Sequence, residues 1–324
     1  NVPTANKYIN AITLTDGSNG GLASNYALPT LNSTNAPVTI NAKTVALSAT
    51  KTYDASTSLT GAVTVSGLIG TETLNYTGST ASDANVATAN KYINAITLTD
   101  GTNGGLASNY ALPTLNSTNA PVTINAKSIS LSGSKTYDAT SSFAASTFGT
   151  TGTVSTGVGV ENLVLTGTGS VANANVSAGT QALTLGTLAL TNGTGLASNY
   201  TIDGATSTGV VTAKTVALSA TKTYDGSTSL TGAVSISGLV GTETLNYTGS
   251  TASDAHVATP NKYISLINLT DGTNGGVAGN YVLPTLNSTN APVTINAQNL
   301  IAALSNVGTT KVYDGSTSAP NGFI

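Results

Sequence analysis

The chain of 324 residues contains no cysteine, no methionine and no tryptophan. Without cysteine it has neither disulfide staples nor thiolate metal sites, and it suits export in an unfolded form. Arginine is missing too: all ten basic residues are lysine. Arginine forks and basic patches carry phosphate and nucleic-acid recognition, so a nucleic-acid partner is not expected. Charged residues make up only 7%, the net charge is −3, and 39% of residues are hydrophobic. Disordered chains combine low hydrophobicity with high net charge, so this composition predicts a folded protein with a neutral surface rich in hydroxyls and amides. No apolar run reaches the length of a spanning helix, so no transmembrane segment is expected, and no signal-peptide pattern is visible. The stretch opens and closes inside repeats, so targeting segments are expected elsewhere.

What is present is repetition. "KTYDASTS" at Lys51 returns as "KTYDATSS" at Lys135, "KTYDGSTS" at Lys222 and "KVYDGSTS" at Lys311. The tyrosines Tyr53, Tyr137, Tyr224 and Tyr313 recur at intervals of 84, 87 and 89 residues. A second marker, the asparagine–tyrosine pair ending at Tyr26, Tyr110, Tyr200 and Tyr281, recurs at 84, 90 and 81. That period is too long for a solenoid rung and suits a small domain. The boundaries read as a partial repeat (C-terminal part) over 1–43, complete repeats over 44–127, 128–214 and 215–297, and a partial repeat (N-terminal part) over 298–324. The stretch from Lys7 to Lys43 matches Lys91 to Lys127 except at Ser18, where the later copy has Thr102. Copies so alike could exchange strands between repeats or between molecules.

Within the repeat 44–127, "TVALSATKTY" alternates, with Val45, Leu47, Ala49, Lys51 and Tyr53 on one side. Period two predicts a half-buried strand. "AVTVSG", "TLNYT", "KYINAITLT" and "APVTIN" predict four more, separated by the turn signals "SGLIG", "TGST", "TDGTNGG" and "LNSTN". No segment holds a helical period. The fold class is all-β: tandem small domains, β-grasp-like or immunoglobulin-like, in an elongated rod. Tyr53, Tyr137, Tyr224 and Tyr313 read as strand-end anchors. Asp54, Asp138, Asp225 and Asp314 read as Asx-turn formers after them. Two copies carry Ala55 and Ala139 where the others carry Gly226 and Gly315, so the turn is expected not to require positive φ. At the junction "VTINAKTVALSA" only about three residues separate the strand patterns, with neither glycine nor proline between them, which predicts little freedom between neighbouring repeats.

"KTYDGSTS", "VSGLIGTETL", "ASNYALP" and the closing "VTI" resemble the YDG-type repeats of large bacterial surface proteins, and are similar to the related MBG (mostly β-grasp) repeats. The resemblance implies giant adhesins of Gram-negative bacteria, filamentous-haemagglutinin-like or otherwise, exported to the cell surface with these repeats as the stalk. The copy from Lys127 to Lys214 departs most, with "SAGTQALTL" in place of "ATANKYINAITL" and "GVVTAK" in place of "PVTINAK".

Catalysis is not expected. His256 is the only histidine, its counterpart is Asn85, and no Ser–His pairing, phosphate loop or carboxylate pair recurs. No cofactor is expected. Calcium is the one ion considered, through Asp100 and Asn103 in "LTDGTNGG", but one carboxylate per loop is thin for an ion that takes six to eight oxygens, and "LTNGTG" at Leu190 has none.

Each complete repeat carries one glutamate and one asparagine before the paired tyrosine. With the motif lysine these form the sets Lys51, Glu72, Asn109; Lys135, Glu161, Asn199; and Lys222, Glu243, Asn280. Lysine, asparagine and a buried carboxylate are the ingredients of an intramolecular isopeptide crosslink. The alternative is a Lys51–Glu72 ion pair with Asn109 satisfying backbone groups. Functionally, the repeats read as a structural stalk, spacer or fibre of a secreted surface adhesin, serving attachment, cell–cell adhesion or biofilm. The alternative is a series of weak carbohydrate-binding modules acting by avidity, with Tyr92 and Tyr263 as stacking rings. Expected partners are neighbouring repeats, other copies in a filament, and a surface glycan or protein.

Overall fold

The computed structural model describes residues 1–301 and 311–316. Among them, every regular element is a strand or a three-residue 3-10 turn, so the chain is all-β. The partial repeat expected over 298–324 lies largely outside the described residues. The chain separates into two compact units. The first holds Asn1–Gly133, Ser142–Val171 and Ala182–Gly209; the second holds Ser134–Ser141, Ala172–Gln181 and the chain from Val210 onward.

In the first unit, the alternating stretch predicted as a strand forms Ala46–Thr52. It runs antiparallel to Val63–Ser66, with Leu47 opposite Val65, and parallel to Val122–Asn125, with Lys51 opposite Ile124. Val45, Leu47, Ala49 and Tyr53 are all buried, on the one side that period two gives them. A second ribbon pairs Leu74–Ala81 with Ile93–Asp100, bulged between Thr77 and Thr80. Lys43–Thr44 runs parallel to Tyr110–Ala111. The first and last strands of the repeat thus lie side by side and parallel, unlike the all-antiparallel sheets of an immunoglobulin sandwich. In the second unit the same pairings recur, with Ala217–Thr223 between Val234–Ser237 and Val293–Asn296.

Residues 1–43 repeat the second half of this pattern without the first. Val38 and Ile40 stand where Val122 and Ile124 stand in the complete repeat, yet they form no strand. The bridge between Tyr8 and Pro37 and the bonds Ile9 N–H to Ala36 O and Val38 N–H to Lys7 O join the two arms of the segment.

The middle repeat departs in its core. Phe143 and Phe148 are fully buried with ring centroids 6.2 Å apart. Counting back from Tyr53 N–H to Asn125 O and from Tyr137 N–H to Thr212 O, Gly133 and Gly209 replace Ala49 and Val122. A methyl group at Gly133 would sit 2.5 Å from the Phe148 ring, and one at Gly209 would sit 3.1 Å from that of Phe143. Two glycines therefore make room for two rings. Gly133→Ala is expected to cost about 1–3 kcal/mol by overpacking, measured by denaturant unfolding; an unchanged midpoint would contradict the packing argument.

Candidate functional site: the junction between repeats

The repeated K-x-Y-D motif closes a corner. Lys51 continues the inward side of its strand, and its Nζ turns along the corner to donate to Asp54 Oδ1 at 2.6 Å, Ser56 O at 3.0 Å and Ser58 O at 2.9 Å. Three ammonium donors meet three acceptors. Lys222 does the same with Asp225, Ser227 O and Ser229 O, and Lys135 with Asp138 and with both oxygens of Thr140. Asp54 Oδ1 also accepts from Ser56 N–H at 2.9 Å, which is the expected Asx-turn. At Asp225, the Lys222 ammonium and then the Ser227 N–H hold the carboxyl below its ordinary value.

The expectation that the corner does not require positive φ is overturned. Ala55 has φ 64° and Ala139 φ 63°, beside Gly226 at 78° and Gly315 at 79°. The bonds from Lys51 and Ser56 to Asp54 hold the alanine in a left-handed conformation it would not choose, and that strain is offset by the staple.

The corner delivers its tyrosine to the next repeat. In the first unit, Tyr53 donates its hydroxyl to Glu161 Oε1 at 2.9 Å, while Tyr200 donates to Glu161 Oε2 at 2.5 Å. The two rings meet edge to face, 5.3 Å apart at 77°. In the second unit, Tyr137 and Tyr281 clasp Glu243 at 2.8 and 2.6 Å, with rings 5.5 Å apart at 77°. A carboxylate accepts only, and two phenol donors to one ion are charge-assisted bonds. Burial, and then the bond to glutamate, pushes Tyr200 and Tyr281 up to about 12. Tyr53 and Tyr137 are raised for the same reasons.

A second contact completes the joint. Asn199, fully buried, accepts from Val86 N–H at 2.8 Å and donates to Asn85 Oδ1 at 2.9 Å. Asn280 treats Val176 and Asn175 identically, and Asn109 treats Val2 and Asn1 so. The loop that presents Asn85 and Val86 is held by Lys91, which donates to Val86 O and Thr88 O. In the middle repeat Gln181 takes over that task by pairing with the backbone of Asn173. Sequence reasoning missed this loop; its signal was a lysine recurring at Lys7, Lys91 and Lys262 in the same "NK" setting.

The residues of the three candidate crosslink sets are engaged as follows. Lys51, Lys135 and Lys222 bond within their own corners, so the expected Lys51–Glu72 ion pair is replaced by Lys51–Asp54. Glu72 accepts from the Tyr110 hydroxyl, Glu161 and Glu243 serve the tyrosine pairs, and Asn109, Asn199 and Asn280 bond the preceding repeat. Lys311 pairs with Asp314 at 2.8 Å, and Tyr313 is exposed. In the loop considered for calcium, Asp100 accepts from Ala107 N–H at 2.8 Å and Asn103 donates to Thr71 O. Asn192 makes the same 2.8 Å bond to Ala197 N–H in the middle repeat, so an amide serves there as well as a carboxylate. His256 is exposed, and its N–H donates to Asp254. Tyr92 and Tyr263 are half-buried.

Two outcomes are expected. Ala55→Gly removes left-handed strain of about 1–2 kcal/mol and gives back part of it as chain entropy, so the net effect is a small rise in thermal midpoint; a fall would contradict the strained corner. For the raised tyrosines, the fold favours the neutral phenol. That stability is present in full below an unfolded value near 10 and is lost as pH climbs towards about 12. Absorbance titration should therefore show a late-ionising class among the 13 tyrosines, and Glu161→Gln should move part of it earlier. A single wave near pH 10 would count against the clasp.

Residues 207–291, which run from the end of the middle repeat through most of the third, match the family model of the YDG domain. No curated protein and no solved structure matches the chain.

Proposed function

We propose that the chain is a load-bearing repeat region of a secreted bacterial surface adhesin, placed outside the cell as a stalk or fibre. The observation that supports this is the shared carboxylate: Glu161 and Glu243 each bond two tyrosines contributed by two successive repeats. Such a joint does no chemistry on a small molecule. It ties the end of one sheet to the base of the next and leaves each repeat its own core. The recurring lysine staple serves the same end, since it fixes the strand end that carries the tyrosine.

Other features fit a mechanical role. In each complete repeat described by this pattern the first strand pairs with the last, so a pull on the two ends loads adjacent, parallel strands bonded side by side. A ladder of backbone bonds loaded along the strands must break together rather than one bond at a time.

Single-molecule pulling on the whole chain tests the proposal. Successive force peaks are expected, each releasing about 30 nm of contour at roughly 3.5 Å per residue over one repeat. Glu161→Ala should lower the force of the first events. Smooth extension without peaks would overturn the load-bearing reading.

A further inference from the structure

The chain lacks cysteine, methionine and tryptophan. Thiols and thioethers are the groups that oxidants attack first, and the indole is the other ring that gives up an electron easily. Tyrosine is therefore its most readily oxidised side chain, and there are 13 of them. An electron taken by a one-electron oxidant comes, directly or by transfer along the chain, from a tyrosine. A phenol releases that electron most readily where its proton can leave with it. That requires a base already in hydrogen-bond contact with the hydroxyl.

Two places meet the requirement with two phenols at once. Tyr53 and Tyr200 each hold one oxygen of Glu161, at 2.9 and 2.5 Å, and Tyr137 and Tyr281 hold Glu243 at 2.8 and 2.6 Å. The ring centroids are 5.3 and 5.5 Å apart. Because both hydroxyls of a pair converge on one carboxylate, the ring carbons that flank those hydroxyls lie at the same end of the pair. Among the described residues, these are the two places where tyrosine rings meet. Tyr76 and Tyr247 are held differently. Their hydroxyls accept from Val63 and Val234 N–H and face the carbonyls of Leu59 and Leu230, so their bonds are to backbone, which is no base for a phenol proton.

We propose that the two clasps are oxidative crosslinking sites, at which an external one-electron oxidant joins Tyr53 to Tyr200 and Tyr137 to Tyr281 by a carbon–carbon bond. Each phenol gives one electron to the oxidant and its proton to the carboxylate, which sheds the first proton to water before taking the second. The unpaired electrons of the two phenoxyl radicals form the bond between carbons next to the hydroxyls. Each of those carbons then yields its hydrogen to restore a phenol. In balance, two electrons pass to the oxidant and two protons to water, and the dityrosine is two hydrogens lighter than the pair. The rings must tilt out of their 77° edge-to-face setting, a movement of two side chains. The product ties successive repeats covalently where the glutamate ties them by hydrogen bonds. It would strengthen a load-bearing array, but it stands on the clasps and the composition alone, so a chain that extends without force peaks could still crosslink.

The whole chain, kept dilute, is illuminated with a ruthenium polypyridyl complex and persulfate, digested and mapped by mass spectrometry. Dityrosine fluorescence is expected, with linked peptides carrying Tyr53–Tyr200 and Tyr137–Tyr281 dominating the links within a chain. Illumination in denaturant should erase that preference. Glu161→Gln keeps a polar side chain between the rings but takes protons poorly, so the first link should fall severalfold against the second, which is the internal reference. Tyr53→Phe should abolish the first link and spare the second. Links spread evenly over the exposed tyrosines would overturn the proposal. So would the absence of dityrosine, a preference that survives denaturant, or a Tyr53–Tyr200 yield unmoved by Glu161→Gln.

Discussion

A carboxylate shared by two phenols is the constraint on which the arrangement of repeats depends. Glu161 offers two oxygens and no proton. Once Tyr200, from its own repeat, has taken one oxygen, the other needs a donor that its own repeat does not supply. The tyrosine at the end of the preceding repeat supplies it. Half-buried ions left with unmet acceptors are costly, so the glutamate favours the joined state over the parted one. The asparagine beside it repeats the logic with a neutral amide. It gives a donor and takes one, and both partners lie in the preceding repeat.

The rest of the motif follows from the need to aim one ring. Tyr53 ends a strand, where the backbone would otherwise be loosest. Lys51, two residues before it, and Asp54, one residue after it, close around the turn and fix that end through three bonds to one ammonium. The strand's other side chains pack the repeat's own core. One short sequence therefore performs two tasks, filling the interior with Val45, Leu47 and Ala49 and reaching outward with Tyr53. This is why lysine, tyrosine and aspartate recur together.

What was legible in the sequence was local. The alternation from Val45 to Tyr53 gave the strand, its buried side and the burial of the tyrosine, because period two is a property of neighbouring residues. Asp54 was readable as a turn former for the same reason. The left-handed Ala55 was not, because alanine's own preference argues against it; the turn is imposed by bonds from Lys51 and Ser56, and a composition argument weighs only the residue itself. The one-per-repeat glutamate and asparagine are visible in the sequence, but their spacing groups them with the lysine of their own repeat. Tyr53 and Glu161 lie 108 residues apart, and no periodicity says which copy of a repeated residue meets which. Spacing gave the inventory of each repeat; only the fold shows that the glutamate reaches backward to its neighbour.

The middle repeat shows which of these parts is free to vary. Its core has been rebuilt, with two phenylalanines inserted and two glycines opened to take them. Its junction loop uses Gln181 where the others use lysine. Yet Tyr137, Glu161, Asn199 and Tyr200 all keep their places. A core can exchange large for small residues so long as its own volume is conserved, because both sides of every contact lie within one repeat. A junction cannot, because each repeat must fit the neighbour before it and the neighbour after it with two different surfaces. A change in the tyrosine of one repeat is answerable only by a change in the glutamate of the next. In an array bound by nearest-neighbour contacts, the joint is therefore the part least able to drift, and the interior of each repeat can diverge while its ends remain interchangeable.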